Sequence, residues 1–154
     1  MSTVRATVLA SAVTLALLAA WTLTGLAGSP ARVRVLGAWV MAPTAERTGA
    51  YFTITDTGDQ ADELLGVSTP DSSSAMLARH SYAAGVGRMT MLDGVVVPAH
   101  TDVRMTPYTT NVMIQPRGPL PVGREVPFTL VFRYGGTVRV TAVVVPPGAA
   151  SAAP

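Results

Sequence analysis

The chain has 154 residues, no cysteine and a formal net charge of +2, and all its basic side chains are arginines apart from two histidines. The lack of cysteine excludes disulfides and thiolate ligands, so a packed core must stabilise any folded domain. The arginines are scattered and form no stripe interleaved with aromatic residues, which argues against a nucleic-acid-binding surface.

The N-terminal segment is apolar and ends in small residues. It carries one charge, Arg5, followed by an uncharged run over residues 6–26 and small residues up to Ser29. This pattern is typical of an export signal, and the run is also long enough to span a bilayer. We therefore expect residues 1–29 to be either a cleaved signal or a single membrane anchor through residues 6–26. The rest of the chain is then extracytoplasmic, in the periplasm or at the cell surface. Without a cysteine to carry a lipid, we do not expect a lipoprotein.

The remainder of the sequence shows the two-residue periodicity of β-strands, interrupted by Gly, Pro and Asp. Gly135-Gly136 lies between two alternating runs and predicts a hairpin turn. Short strands at this spacing predict a single all-β domain, an antiparallel β-sandwich over residues 30–146. The small-residue, proline-rich segment 147–154 predicts a disordered tail. The predicted strands are Arg32–Met41, Gly49–Asp56, Glu63–Ser68, Ala75–Tyr82, Arg88–Asp93, Asp102–Thr106, Asn111–Gln115, Val126–Tyr134 and Thr137–Val145.

The sequence offers no arrangement of residues that suits catalysis. His80 and Ser81 are adjacent in a predicted strand, so their side chains point to opposite faces and cannot form a nucleophile–base pair. Nucleophile-elbow, phosphate-loop and zinc-protease motifs are missing from the sequence. The densest acidic stretch, residues 59–63, is interpreted as a solvated turn rather than a hard-cation site. We expect the protein not to be an enzyme, and we expect Trp39 to pack in the core.

The stretch between residues 76 and 113 contains both histidines and five of the seven methionines. Imidazole and thioether without thiolate suit copper, especially Cu(I), but methionine also fills cores. Met89 and Met91 share one strand face, and that face either packs in the core or lines a soft-metal site. His80 is either a metal ligand or an ordinary surface histidine. Two further expectations are that Met76 and Met105 lie in the core and that His100 lies in a solvated turn.

Several segments together resemble the PCu(A)C family, which comprises periplasmic copper chaperones. The similarity extends over residues 35–145. It implies a cupredoxin-like β-sandwich with Greek-key topology, a Cu(I) cargo, and a copper-receiving partner such as a cytochrome oxidase subunit or assembly factor. The segments that carry the resemblance are Gly37–Val40, Gly49–Asp59, Ala61–Pro70, Asp93–Ala99, Pro119–Gly123 and Val126–Phe132.

The copper motif of that family is a histidine, about ten residues, a methionine, about twenty residues, and then His-x-Met. His80 and Met91 have the first spacing. Counting from the flanking segments instead makes Ala78 and Met89 the equivalents, and a bulge near His80 would then restore the imidazole. The final His-x-Met is replaced here by Asn111-Val112-Met113, so an amide stands where the family has an imidazole.

The resemblance thus implies a Cu(I) site formed by His80, Met89 and Met113, with Met91 as a fourth ligand. One imidazole and several thioethers suit Cu(I) better than Cu(II), which favours more nitrogen ligands. Two hypotheses remain open. One is an exported Cu(I) chaperone that serves cytochrome oxidase assembly or copper homeostasis. The other is a protein of the same fold that has lost copper binding and acts as an extracytoplasmic interaction or structural module.

Overall fold

The computed structural model describes residues 2–25, 28–83 and 86–149, so the end of the predicted tail, residues 150–154, lies outside it. The chain begins with one helix, α1, Ser2–Leu23. Its apolar part, Thr3–Leu23, has a mean hydropathy of 1.9 and no buried residues. At a rise of 1.5 Å per residue this part is about 31 Å long, which matches the hydrocarbon thickness of a bilayer. A signal sequence would have the same properties.

The remaining elements are strands, in agreement with the predicted all-β domain. The two-residue periodicity locates most of them to within a few residues of their observed bounds. A short strand at Val95–Val97 was missed because three residues are too few to show a period. The described strands are β1 Val33–Met41, β2 Thr48–Asp56, β3 Asp62–Ser68, β4 Ser72–Ala83, β5 Val86–Met91, β6 Val95–Val97, β7 Thr101–Arg104, β8 Thr110–Pro116, β9 Glu125–Phe132 and β10 Thr137–Val145.

These strands form one continuous sheet with the order β5-β4-β8-β2-β1-β10-β9-β3-β6, and β7 also pairs with β2. The sheet folds over itself, because β3 packs beside β4 and β6 lies near β2 and β7. Its pairs are antiparallel except for β1 and β10, which run parallel with Trp39 opposite Val143. The predicted all-β sandwich is confirmed, and this parallel pair is the one exception to its predicted antiparallel pairing among the described strands. Hairpins force sequential strands to be antiparallel, but β1 and β10 are far apart in sequence and no turn sets their direction.

The core lies between the two inner faces of the folded sheet. On β9, Val126, Phe128, Leu130 and Phe132 are buried while the residues between them are more exposed. Phe128 meets Phe52 of β2 edge to face, with ring centroids 5.3 Å apart. A core of this kind stabilises the domain without disulfides, chiefly through the burial of apolar surface.

The acidic stretch at residues 59–63 is not simply solvated, because the Asp62 side chain is buried at 2% exposure. Its carboxylate accepts hydrogen bonds from the backbone N–H groups of Glu63, Tyr134 and Gly135, at 2.7, 2.9 and 2.6 Å. The predicted hairpin turn at Gly135-Gly136 is confirmed, and Gly136 adopts a positive φ of 73°. Asp62 therefore fastens the start of β3 to the β9–β10 turn.

Candidate metal centre

Three neighbouring strands, β5, β4 and β8, bring the sequence-predicted ligands onto one face of the sheet. Met89 lies directly opposite His80, and Met91 lies opposite Ala78. On the other side of β4, Asn111 lies opposite Ala78 and Met113 lies opposite Met76. Directly opposed residues, and residues two apart on one strand, share a face. We call this surface, formed by residues 76, 78, 80, 89, 91, 111 and 113, the ligand face.

The ligand face points away from the core. The alternate residues on the same strands, Leu77 and Val112, are buried in the core cluster. Met89 and Met91 are 43% and 47% exposed, so the interpretation of these two residues as core is wrong. They lie on β5, an end strand of the sheet with no described residue buried along its length. Two neighbouring exposed methionines in a domain with a well-filled core favour a role in binding.

Ala78 lies at the middle of the ligand face, and the larger side chains surround it. Opposite residues are about 5 Å apart and residues two apart on a strand are about 7 Å apart, measured between Cα atoms. By this register, His80, Met91 and Asn111 are immediate neighbours of Ala78, and Met89 and Met113 are diagonal to it. The methyl group of Ala78 is fully buried beneath this ring. Because the central residue is small, the surrounding side chains close over it.

The predicted ligands are not all equally close to one another. His80 and Met89 are direct partners, whereas Met113 pairs with Met76, four residues from His80 along β4. That separation is about 13 Å along the strand and about 5 Å across, measured between Cα atoms. His80 and Met113 must therefore lean towards Ala78 from opposite ends to touch one ion. The β4–β5 pairing is continuous from Ala78 to Ala83, so the bulge that would move His80 into the position of Ala78 is not there.

Asn111 replaces the imidazole that the family resemblance implies, and it is 3% exposed. Its Nδ2 donates a hydrogen bond to the Sδ of Met113 at 3.3 Å, and its buried Oδ1 has no hydrogen-bond partner among the described residues. A buried polar atom without a partner costs about 1–3 kcal/mol, so the unpaired Oδ1 lowers the stability of the domain. The bond to Met113 also engages one of the two lone pairs of that sulfur and leaves the other for a metal.

Aromatic side chains border the ligand face on the β2 side. Trp39 and Tyr51 stack with ring centroids 4.0 Å apart and an interplanar angle of 19°. Trp39 is half-buried and packs against the core cluster, so its predicted core packing is confirmed in part. Burial raises the pKa of the Tyr51 hydroxyl above its ordinary value of 10, and a hydrogen bond with the Asn111 side chain partly offsets that rise. A Cβ on Gly49, which lies opposite Met113, would clash with this hydroxyl, so a glycine is needed there.

The other residues of the Met/His stretch divide between the core, a turn and the ligand face. Met105 is buried at 2% exposure in the core, as predicted. His100 is exposed in the turn before β7, also as predicted, but its Nε2 lies 2.8 Å from the Oδ1 of Asp59. Its loop does not fold back to the ligand face, because β7 and β8 pair with opposite ends of β2.

Met76 is the member of the ligand face that sequence reasoning missed. It was expected in the core, but it is half-buried and lies on the outer side of β4. Its two-residue spacing from Ala78 and His80 indicates that all three residues share one face of β4. The adjacent Leu77 is equally apolar, so the sequence alone did not show which of the two points inward.

The donor atoms of the ligand face are mostly soft ligands, the thioether sulfurs of methionine. Among residues 2–25, 28–83 and 86–149, no three His, Asp or Glu side chains group as a metal site. Together with the lack of cysteine, this leaves thioethers and one imidazole as donors on the ligand face, and such donors select Cu(I).

Comparison with solved structures identifies the domain as a β-sandwich of the PCuAC type. The copper-bound PCuAC domain from PmoF2 superposes with a TM-score of 0.63 at 25% identity, over 77% of this chain and 97% of that one. The Cu(I) form of DR1885 from Deinococcus radiodurans superposes with a TM-score of 0.59 at 33% identity, over 70% of this chain and 74% of that one. The resemblance predicted from the sequence is confirmed.

Residues 33–144 match the family described as "Putative lipoprotein LpqE-like", and the chain belongs to this family. A relative from Leifsonia xyli subsp. xyli (strain CTCB07), "Putative lipoprotein Lxx21020", is 28% identical over 109 residues, or 68% of this chain. The chain spans 64% of the length of that relative. These relatives and structural neighbours are named as lipoproteins or copper-binding domains and not as enzymes.

Proposed function

We propose that the protein is an extracytoplasmic Cu(I) carrier that holds one ion over Ala78. His80, Met89, Met91 and Met113 are the proposed ligands. The observation that carries this proposal is the partly exposed ring of one imidazole and several thioethers on the ligand face, in a fold shared with copper-bound PCuAC domains. In this role copper is cargo, bound and released without a chemical change.

The exposure of the ring supports transfer as well as binding. Met89 and Met91 lie at the edge of the sheet and are nearly half exposed, so an incoming partner could contact the ion directly. Thioether ligands are neutral and bind without losing a proton, which suits exchange between similar sites. We propose a copper-receiving protein as partner, such as a cytochrome oxidase subunit or assembly factor.

We further propose that α1 directs the chain out of the cytoplasm and either is removed or remains as an anchor. The short segment after α1 is fastened to the domain. The Asp59 carboxylate accepts hydrogen bonds from the backbone N–H and hydroxyl of Ser29, at 2.6 and 2.8 Å. In an anchored chain the domain would therefore lie only a few residues from the bilayer surface.

A Cu(I) competition titration tests the proposal. The full chain, purified in detergent, is titrated against a chromophoric Cu(I) chelator, and we expect one equivalent to be withdrawn. Met113→Ala should weaken binding at least about tenfold, or about 1.4 kcal/mol. Met113→Leu is the matched variant, since it keeps the volume and removes only the sulfur, and it should weaken binding equally. A wild-type chain that leaves the chelator spectrum unchanged would refute the carrier function.

One observation favours the second hypothesis, a related fold without copper. Ala78 and Asn111, the positions where the resemblance implies histidines, lie directly opposite each other and neither supplies an imidazole. An amide oxygen is a hard and weak donor for Cu(I). Under this alternative the exposed methionines of β5 would instead contact a protein partner, and the same titration would show no copper uptake.

A further inference from the structure

Met76 is half-buried on the ligand face, whereas its sequence neighbours Ala75 and Leu77 pack on the core. On this side of β4, a methionine side chain does not contribute to the core cluster. Its position must therefore be explained by its neighbours on the ligand face.

Those neighbours are two of the proposed copper ligands. Met76 lies directly opposite Met113, so the two Cα atoms are about 5 Å apart. Met91 is diagonal to Met76 across the β4–β5 pairing, at about 8 Å by the same geometry. Met76 and Met91 also line one cavity of about 340 Å³ between β3 and the β4–β5 hairpin. By strand register, three methionines on three adjacent strands are therefore neighbours at the end of the ligand face away from His80.

We propose that Met76 is a copper ligand and that Met76, Met91 and Met113 form a three-thioether group for soft monovalent d10 ions, Cu(I) and Ag(I). This inference rests on the proposed carrier function and adds a ligand that the family motif does not contain. It also gives Met113 a sulfur partner directly beside it, at about 5 Å between Cα atoms.

The proposed group explains how this chain could bind copper with only one imidazole on the ligand face. Asn111 contributes a hard amide, and its Nδ2 already contacts the sulfur of Met113. A further thioether supplies the soft donor that the amide cannot. The resulting set is rich in sulfur and poor in nitrogen, so it should hold Cu(I) and Ag(I) while discriminating against Cu(II) and Zn²⁺, which prefer nitrogen, oxygen or thiolate ligands.

The test compares Met76→Leu with Met105→Leu in the full chain held in detergent. Both changes remove one sulfur and nearly conserve volume, but Met105 is buried in the core. In the Cu(I) competition titration we expect Met76→Leu to weaken binding about tenfold or more, comparable with the loss of a metal-site partner. Met105→Leu should leave the affinity unchanged.

A second measurement uses the wild-type chain and does not depend on how the variant folds. With 13C-methyl-labelled methionine, one equivalent of Ag(I) should shift the ε-methyl resonances of Met76, Met91 and Met113 together with that of Met89, while that of Met105 stays in place. Equal affinity of Met76→Leu, or a Met76 methyl that does not move while others do, would overturn this inference and leave the carrier function intact. A wild-type chain that binds neither ion would overturn both.

Discussion

Replacing Asn111 by histidine is the sharpest test of how the ligand face is built. The side chain is 3% exposed, lies opposite Ala78 and contacts the sulfur of Met113. Asn111→His would put an imidazole on β8, near the thioethers of Met113 on the same strand and Met76 on β4. It would also free the Met113 sulfur from the amide donor.

The expected gain follows from exchanging a weak, hard donor for a preferred one. A tenfold or greater increase in Cu(I) affinity, about 1.4 kcal/mol or more, corresponds to one good ligand replacing a poor one. The larger ring costs about 1–3 kcal/mol if the site cannot relax. Removing the unpartnered Oδ1 of Asn111 returns about 1–3 kcal/mol, so we expect little net change in stability. The small side chain of Ala78 opposite provides the space.

The assay is the Cu(I) competition titration together with electron paramagnetic resonance of the Cu(II)-loaded chain. We expect tighter Cu(I) binding and a Cu(II) signal with added nitrogen hyperfine structure. Asn111→Gln is the matched control, because it keeps the amide, lengthens the side chain and should not strengthen binding. A folded Asn111→His variant with unaltered Cu(I) affinity and no new nitrogen coupling would mean that residue 111 does not face the ion.

Two further predictions concern Asp59 and Asp62, whose carboxylates join separate segments of the chain by hydrogen bonds. Hydrogen bonds from the backbone and hydroxyl of Ser29, and then from His100, lower the pKa of Asp59 from its ordinary 3.8 to about 2. Because the folded pKa is depressed, this contribution to stability is complete above about pH 4 and is lost as pH falls through about 2. The 13C carboxyl shift of Asp59 should titrate with a midpoint near 2, and a midpoint near 3.8 would show that Ser29 is not held. Asp62→Ala should lower the free energy of unfolding by about 3 kcal/mol in urea, since it leaves the N–H groups of the β9–β10 turn without their buried, charged acceptor. Asp102→Ala, at an exposed site on β7, should change it by less than about 0.5 kcal/mol, and equal effects would contradict this role of Asp62.

The hydrophobic periodicity of the sequence was enough to locate most strands, because alternation along a strand is a local property. On β9 the buried Phe128, Leu130 and Phe132 alternate with residues that face outward, and the pattern is visible without any neighbour. The apolar N-terminal run is equally local, and it forms α1. Short local segments such as Gly49–Asp59 and Ala61–Pro70 also led to the right family, although the copper motif itself matches only in part.

The composition of the ligand face was decided by the tertiary structure. Period two shows which residues of β4 share a face, but Met76 and Leu77 are both apolar, so nothing local selects the inward one. The choice depends on pairing with β8, more than thirty residues later in the chain, which puts Leu77 in the core and Met76 opposite Met113. The burial of Asp62 likewise depends on a turn about seventy residues away.

By itself, then, the sequence determined the strands, the apolar segment and the soft-donor chemistry, because these depend on residue type and local order. The tertiary structure decided which methionines face outward, that Met89 and Met91 are exposed, and that Ala78 and Asn111 lie directly opposite each other. These facts follow from strand register. Register is set by contacts between residues far apart in the chain, and a one-residue change in it would exchange the two faces of the sheet.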